Sequence, residues 1–90
     1  MDHLTDQLLR GREGDRQALE AFVRATQPEI WRLCRYMLGP DDADDVTQEV
    51  YLAAWRSLSN FRADSSARTW LFAIAHRTVW RSEMCIRDSA

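Results

Sequence analysis

Apolar residues recur along this 90-residue chain at intervals of three and four and never alternate for long, so the pattern predicts helices and no strand. Leu4, Leu8 and Leu9 mark one face of a short leading helix, which Gly11 to Gly14 interrupts before a turn at Gly14–Asp15. From Arg16, the positions Ala18, Leu19, Phe22 and Val23 give an amphipathic helix expected to end near Thr26. Pro28 suits the first turn of a separate helix, where its missing amide proton costs nothing. Ile30, Trp31, Cys34, Met37 and Leu38 supply that helix's apolar face, and Gly39–Pro40 stops it.

Behind this breaker a further helix runs from about Asp42 to Leu58. Asp41 or Asp42 can cap its first amides, and the carboxylates that follow suit the positive helix end. Ala43, Val46, Val50, Ala53 and Ala54, widened by Tyr51, Trp55 and Leu58, paint its buried stripe. On the other side Asp45, Gln48, Glu49 and Leu52 share a face that is acidic and polar but for one leucine. Residues 59–66 (SNFRADSS) break the pattern and are rich in turn formers. Asp64, Ser65 or Ser66 can cap a last helix starting near Ala67. That helix carries Trp70, Leu71, Ile74, Ala75, Thr78 and Val79 on one broad side and Arg68, Phe72, His76, Arg77 and Arg81 elsewhere. The expected fold is all-α, a compact bundle of about four helices over residues 1–81. Residues 82–90 show no stripe and are expected to be a frayed helix end or disordered.

Composition agrees with a folded chain: 46% hydrophobic residues with only 3 Gly and 2 Pro in 90 suit one small helical domain. No apolar run is long enough to span a bilayer, and Met1–Asp2–His3 lacks the basic and apolar regions of a signal peptide, so a cytoplasmic protein is expected. Cys34 and Cys85 fit no metal-ligand spacing, and Cys34 falls on an apolar face as a small core residue. The net charge of −2 hides an asymmetry: residues 1–49 hold six Arg against eleven Asp and Glu, and residues 50–90 hold six against three. An acidic front and a basic back suggest two partners of opposite character, although ordinary surface variation gives the same count.

Catalytic chemistry has no place to sit. His3 and His76 stand apart from any nucleophile at a recognisable spacing, and there is no Gly-rich phosphate loop. The run Asp41 to Asp45 lacks the alternating ligands and the loop glycine of a calcium hand, and helix capping explains it more simply. No enzyme activity, cofactor or metal is expected.

The stretch DDVTQEVYLAAW (residues 44–55), followed by FRADSSARTWLFAIA (residues 61–75), resembles region 2 of sigma factors, most closely the extracytoplasmic-function (ECF) group of the sigma-70 family. Gly14 to Leu19, Phe22 and Trp31–Arg32–Leu33 are also similar to that family's first helices, so the resemblance covers roughly residues 8–79. It implies that Asp45, Gln48, Glu49 and Leu52 dock on the clamp of the largest subunit of core RNA polymerase. It further implies that the loop Phe61, Arg62, Ala63, Asp64, Ser65 and Ser66, with Arg68, Thr69, Trp70, Phe72, His76 and Arg77 of the last helix, recognises and melts the promoter −10 element. There it would hold an unstacked base of the non-template single strand. Cations for phosphates, flat groups for stacking and short polar groups for base edges are the parts that task needs. Trp70 also reads as plain core, and that assignment competes with DNA contact. The resemblance implies a bacterial, cytoplasmic protein that is on the nucleoid when bound to polymerase, and an anti-sigma factor as a possible partner. It also implies a second helical domain, region 4, which this sequence does not contain. The rival reading is a helical protein-interaction domain without DNA binding, such as an anti-sigma-binding fragment.

Overall fold

Four helices make up the structure, a computed structural model that describes the backbone of residues 2–89 and the side chains of residues 2–84. They are α1 (His3–Arg12), α2 (Arg16–Leu38), α3 (Ala43–Ser57), which runs into a 3-10 turn at Leu58–Asn60, and α4 (Ala67–Ser89). No strand occurs among the described residues, so the all-α, four-helix expectation holds. The partition of the chain into helices differs from the expectation in two places, each for a local physical reason.

First, the break expected between Thr26 and Pro28 is absent, and α2 is one helix of 23 residues with Pro28 inside it. Its buried positions are Ala18, Phe22, Thr26, Ile30 and Cys34, a ladder at four-residue spacing that crosses the proline without a gap. Pro28 itself lies on the exposed side. Packing along one face thus overrides the local penalty of a missing amide. Second, α1 continues through Gly11 rather than stopping there. A Cβ at Gly11 would stand 2.2 Å from Leu19 Cδ2, so glycine is what lets α1 lie close on α2. Helix α4 runs on to Ser89, with no Gly or Pro in it. The side chain of Cys85 lies outside the described residues.

Helix ends are closed in different ways. Asp2 accepts from the Thr5 amide at 2.8 Å and Asp15 from the Ala18 amide at 3.1 Å. Asp42 precedes α3 without a side-chain capping bond, and Asp44 and Asp45 in the first turn meet the positive helix end instead. Gly39, at φ 90°, ends α2 with its amide on the Arg35 carbonyl at 2.9 Å.

The core lies where α2 meets the other three helices, with α4 also packed on α3 and α1. Leu8, Phe22, Ile30, Val50, Leu71 and Val79 fill it, and Cys34 is fully buried among them as expected. One buried polar pair crosses this core: the Tyr51 hydroxyl lies 2.6 Å from Thr26 Oγ1. Thr26 already donates to the Phe22 carbonyl at 2.9 Å, which leaves Tyr51 as the donor between them.

Candidate functional site

Two exposed surfaces gather the residues singled out from the sequence. On α3, Asp45, Gln48, Glu49 and Leu52 are all exposed and occupy one helical face. Leu52, 53% exposed, is the ridge between two grooves. One groove lies between α2 and α3 and includes Gln27, Trp31, Gln48, Tyr51 and Trp55. The other lies between α3 and α4 and includes Asp45, Glu49, Arg56, Thr78 and Arg81. Trp31, read from the sequence as core-facing only, is half-buried; its indole N–H donates to Asp44 at 2.8 Å, with the Arg35 guanidinium 5.9 Å from the ring centroid. An apolar crest flanked by hydrogen-bonding groups and by aromatic and charged walls suits a helical protein partner.

The second surface is the 61–66 loop with the first turns of α4. Phe61 does not present its ring to solvent: it is 2% exposed, packed on Trp70 with ring centroids 5.2 Å apart and tilted by 55°. Burying an aromatic ring of this size gains more than a loop's freedom to display it. Trp70 is correspondingly half-buried behind the loop. Beyond Phe61 the chain turns out. Arg62, Asp64 and Ser65 are exposed, and Ala63 holds a left-handed backbone at φ 60°, a conformation that costs a non-glycine residue roughly 1 kcal/mol. Of the three candidate caps, Ser66 takes the role: its Oγ accepts from the Thr69 amide at 3.1 Å.

Arg68, Thr69, Phe72 and His76 then line one shallow surface on α4, with Phe72 partly packed on the core. Arg77 is exposed next to it and, like Arg62, has no ion-pair partner among the described residues. Arg68 does have one, the Glu29 carboxylate on α2.

The groups that hold this loop lie outside the sequence motif. Both its ends are tied to α1. The Arg12 guanidinium donates to the Phe61 carbonyl, 49 residues away, and Thr5 Oγ1 accepts from the Ala67 amide at 2.9 Å, 62 residues away. The same hydroxyl donates to the Asp2 carboxylate at 2.9 Å, and the Thr5 bonds, that from its amide first, hold the Asp2 carboxyl below its ordinary range. No local signal marks Thr5, Arg12 or Glu29, since each meets its partner only in the folded chain. Among the described residues no three His, Cys, Asp or Glu gather as a metal site, and no helix is long and apolar enough to cross a membrane.

The family model for sigma-70 region 2 matches residues 22–82. A probable RNA polymerase sigma-C factor of Mycobacterium bovis is 48% identical over 71 residues, covering 79% of this chain and 38% of the relative. The ECF RNA polymerase sigma-E factor of Escherichia coli is 38% identical over 80 residues, 87% of this chain and 42% of the relative. The chain thus spans about two fifths of the length of these relatives. Among solved structures, an engineered region 2 of sigmaE in complex with GTAAAA superposes with a TM-score of 0.84 at 26% identity, over 94% of this chain and 88% of that one.

Proposed function

Since this chain belongs to the sigma-70 family through its region 2, we propose that it serves transcription initiation without catalysis of its own. In this reading it binds core RNA polymerase through α3 and holds single-stranded −10 promoter DNA on the loop and α4. The observation that carries the DNA half is the common surface of Arg68, Thr69, Phe72 and His76 beside the exposed loop, in a fold shared with a region 2 solved with GTAAAA. The surface offers cations for phosphates, a ring edge for a base, and hydroxyls from Ser65 and Thr69 for base edges. Phe61 supports it from below as a buried prop, and Arg62 and Arg77 add positive charge on either side of Arg68 in the sequence.

The polymerase half rests on the exposed face of Asp45, Gln48, Glu49 and Leu52. Asp45 at the first turn of α3 and Glu49, which accepts from the Ser82 hydroxyl at 3.5 Å, are exposed and contribute little to the bundle, so removing both carboxylates leaves it folded, whereas removing them from a docking face costs affinity. Binding of core RNA polymerase by Asp45→Ala/Glu49→Ala is therefore expected to fall at least tenfold at unchanged helicity; equal binding would count against the assignment. For DNA, Arg62→Ala/Arg77→Ala is expected to weaken GTAAAA binding and to flatten its salt dependence by about 0.7 for each phosphate no longer neutralised. An unaltered slope would return both arginines to the solvated surface.

A further inference from the structure

Arg68 belongs to the proposed DNA surface, yet its guanidinium is already occupied by the carboxylate of Glu29. The pair joins α4 to α2 across 39 residues of sequence, with side chains 51% and 33% exposed. Glu29 follows Pro28 on the accessible side of α2, and the charge of Arg32, one turn further along, also acts on it. An anion of α2 is thus paired with a guanidinium of α4 at the edge of the surface where the strand is to lie. The Arg68 hydrogen bond keeps the Glu29 carboxyl below its ordinary range, so it is charged at neutral pH. An ion pair this open contributes little to stability and opens at little cost. It does affect which anion Arg68 can take.

Resting on the DNA reading above, we propose that Glu29 is an internal stand-in for a DNA phosphate. Its carboxylate sits where a backbone phosphate of the bound single strand goes, and binding exchanges one anion for the other. A phosphate offers the guanidinium the same two-oxygen geometry that a carboxylate does. The exchange has a consequence in salt. The Glu29–Arg68 pair is itself screened as salt rises, so its competition weakens at high salt and offsets part of the salt dependence of the phosphate contact. In the wild-type chain Arg68 therefore adds affinity with less salt dependence than an unpaired arginine would. Glu29 also acts against weak, non-specific anions, because any ligand must outcompete it before reaching Arg68.

The experiment is a titration of GTAAAA against the full chain as wild type, Glu29→Gln, Arg68→Ala and the double variant, at several salt concentrations. Glu20→Gln serves as a charge-matched control on the exposed side of α2. Glu29→Gln is expected to tighten binding about two- to fivefold at low salt and to steepen the slope of log K against log salt by up to about 0.7. In the Arg68→Ala background the same substitution is expected to give neither effect, and Glu20→Gln is expected to change little. Weaker or unchanged binding in Glu29→Gln overturns the proposal while leaving the DNA reading standing. An equal gain in the Arg68→Ala background, or from Glu20→Gln, overturns it as general charge removal. Failure of all five proteins to bind at low salt overturns the DNA reading and this proposal with it.

Discussion

Tyr51 shows how much one side chain can settle. It lies on the buried side of α3, one residue before exposed Leu52, and its hydroxyl closes on Thr26 of α2 inside the core. That bond gives the buried Tyr51 hydroxyl its partner, and it is worth about 0.5–1.5 kcal/mol. Burial raises the Tyr51 pKa above its ordinary 10.0, because the phenolate is disfavoured where water is excluded. The sign follows. The folded state keeps the phenol proton that the unfolded chain loses, so the contribution is whole below pH 10.0 and declines as pH rises through the folded value. Buried Cys34, also raised from its ordinary 9.0 by burial, adds a separate decline from about there. Tyr51→Phe is thus expected to cost about 1 kcal/mol at pH 7 yet to lose less stability than wild type between pH 9 and pH 11. Urea unfolding at the three pH values checks this, and parallel alkaline limbs would refute it.

Helices here are set by faces more than by their punctuation. Gly11 and Pro28 carry strong local signals, and both mislead because packing against another helix outweighs them. At Gly11 the deciding neighbour is Leu19, which occupies the volume a methyl group would need. Gly11→Ala gains about 1 kcal/mol of helix propensity but forces Leu19 aside at about 1–3 kcal/mol, a net loss of up to roughly 2 kcal/mol. Combined with Leu19→Ala, which vacates the space, it is expected to cost clearly less than the sum of the two single changes in thermal unfolding. Full additivity would mean that the helices do not meet there as described. The apolar periodicities of α3 and of α4 as far as Val79 were legible because a stripe of that length needs no knowledge of its partner. Thr26 hid the continuity of α2: a threonine reads as a helix end until the tyrosine that satisfies it is found 25 residues on.

At the scale of the whole molecule, the sequence motif marks a surface and the fold supplies what steadies it. Asp45, Gln48, Glu49 and Leu52 could be placed on one face from spacing alone, and the loop could be recognised from its turn formers. The inward turn of Phe61 could not, since an aromatic beside turn residues reads equally as display or as anchor until Trp70 is seen beneath it. Nor could Glu29, Thr5 and Arg12, whose partners lie 39, 62 and 49 residues away. The Thr5 tie gives one backbone proton an unusual allegiance. The Ala67 amide opens α4, where first-turn protons have no intrahelical acceptor and commonly exchange quickly with solvent. Here its acceptor belongs to α1, so its exchange rate reports the docking of α1 instead of the integrity of α4. Thr5→Val, which keeps the shape and removes the hydroxyl, is expected to accelerate deuterium uptake at Ala67 about tenfold while Leu71 and Ile74 stay protected. Slow exchange at Ala67 in that variant would show that the tie does not form. A single amide at the rim of the loop can thus serve as a clock for the attachment of the chain's first helix.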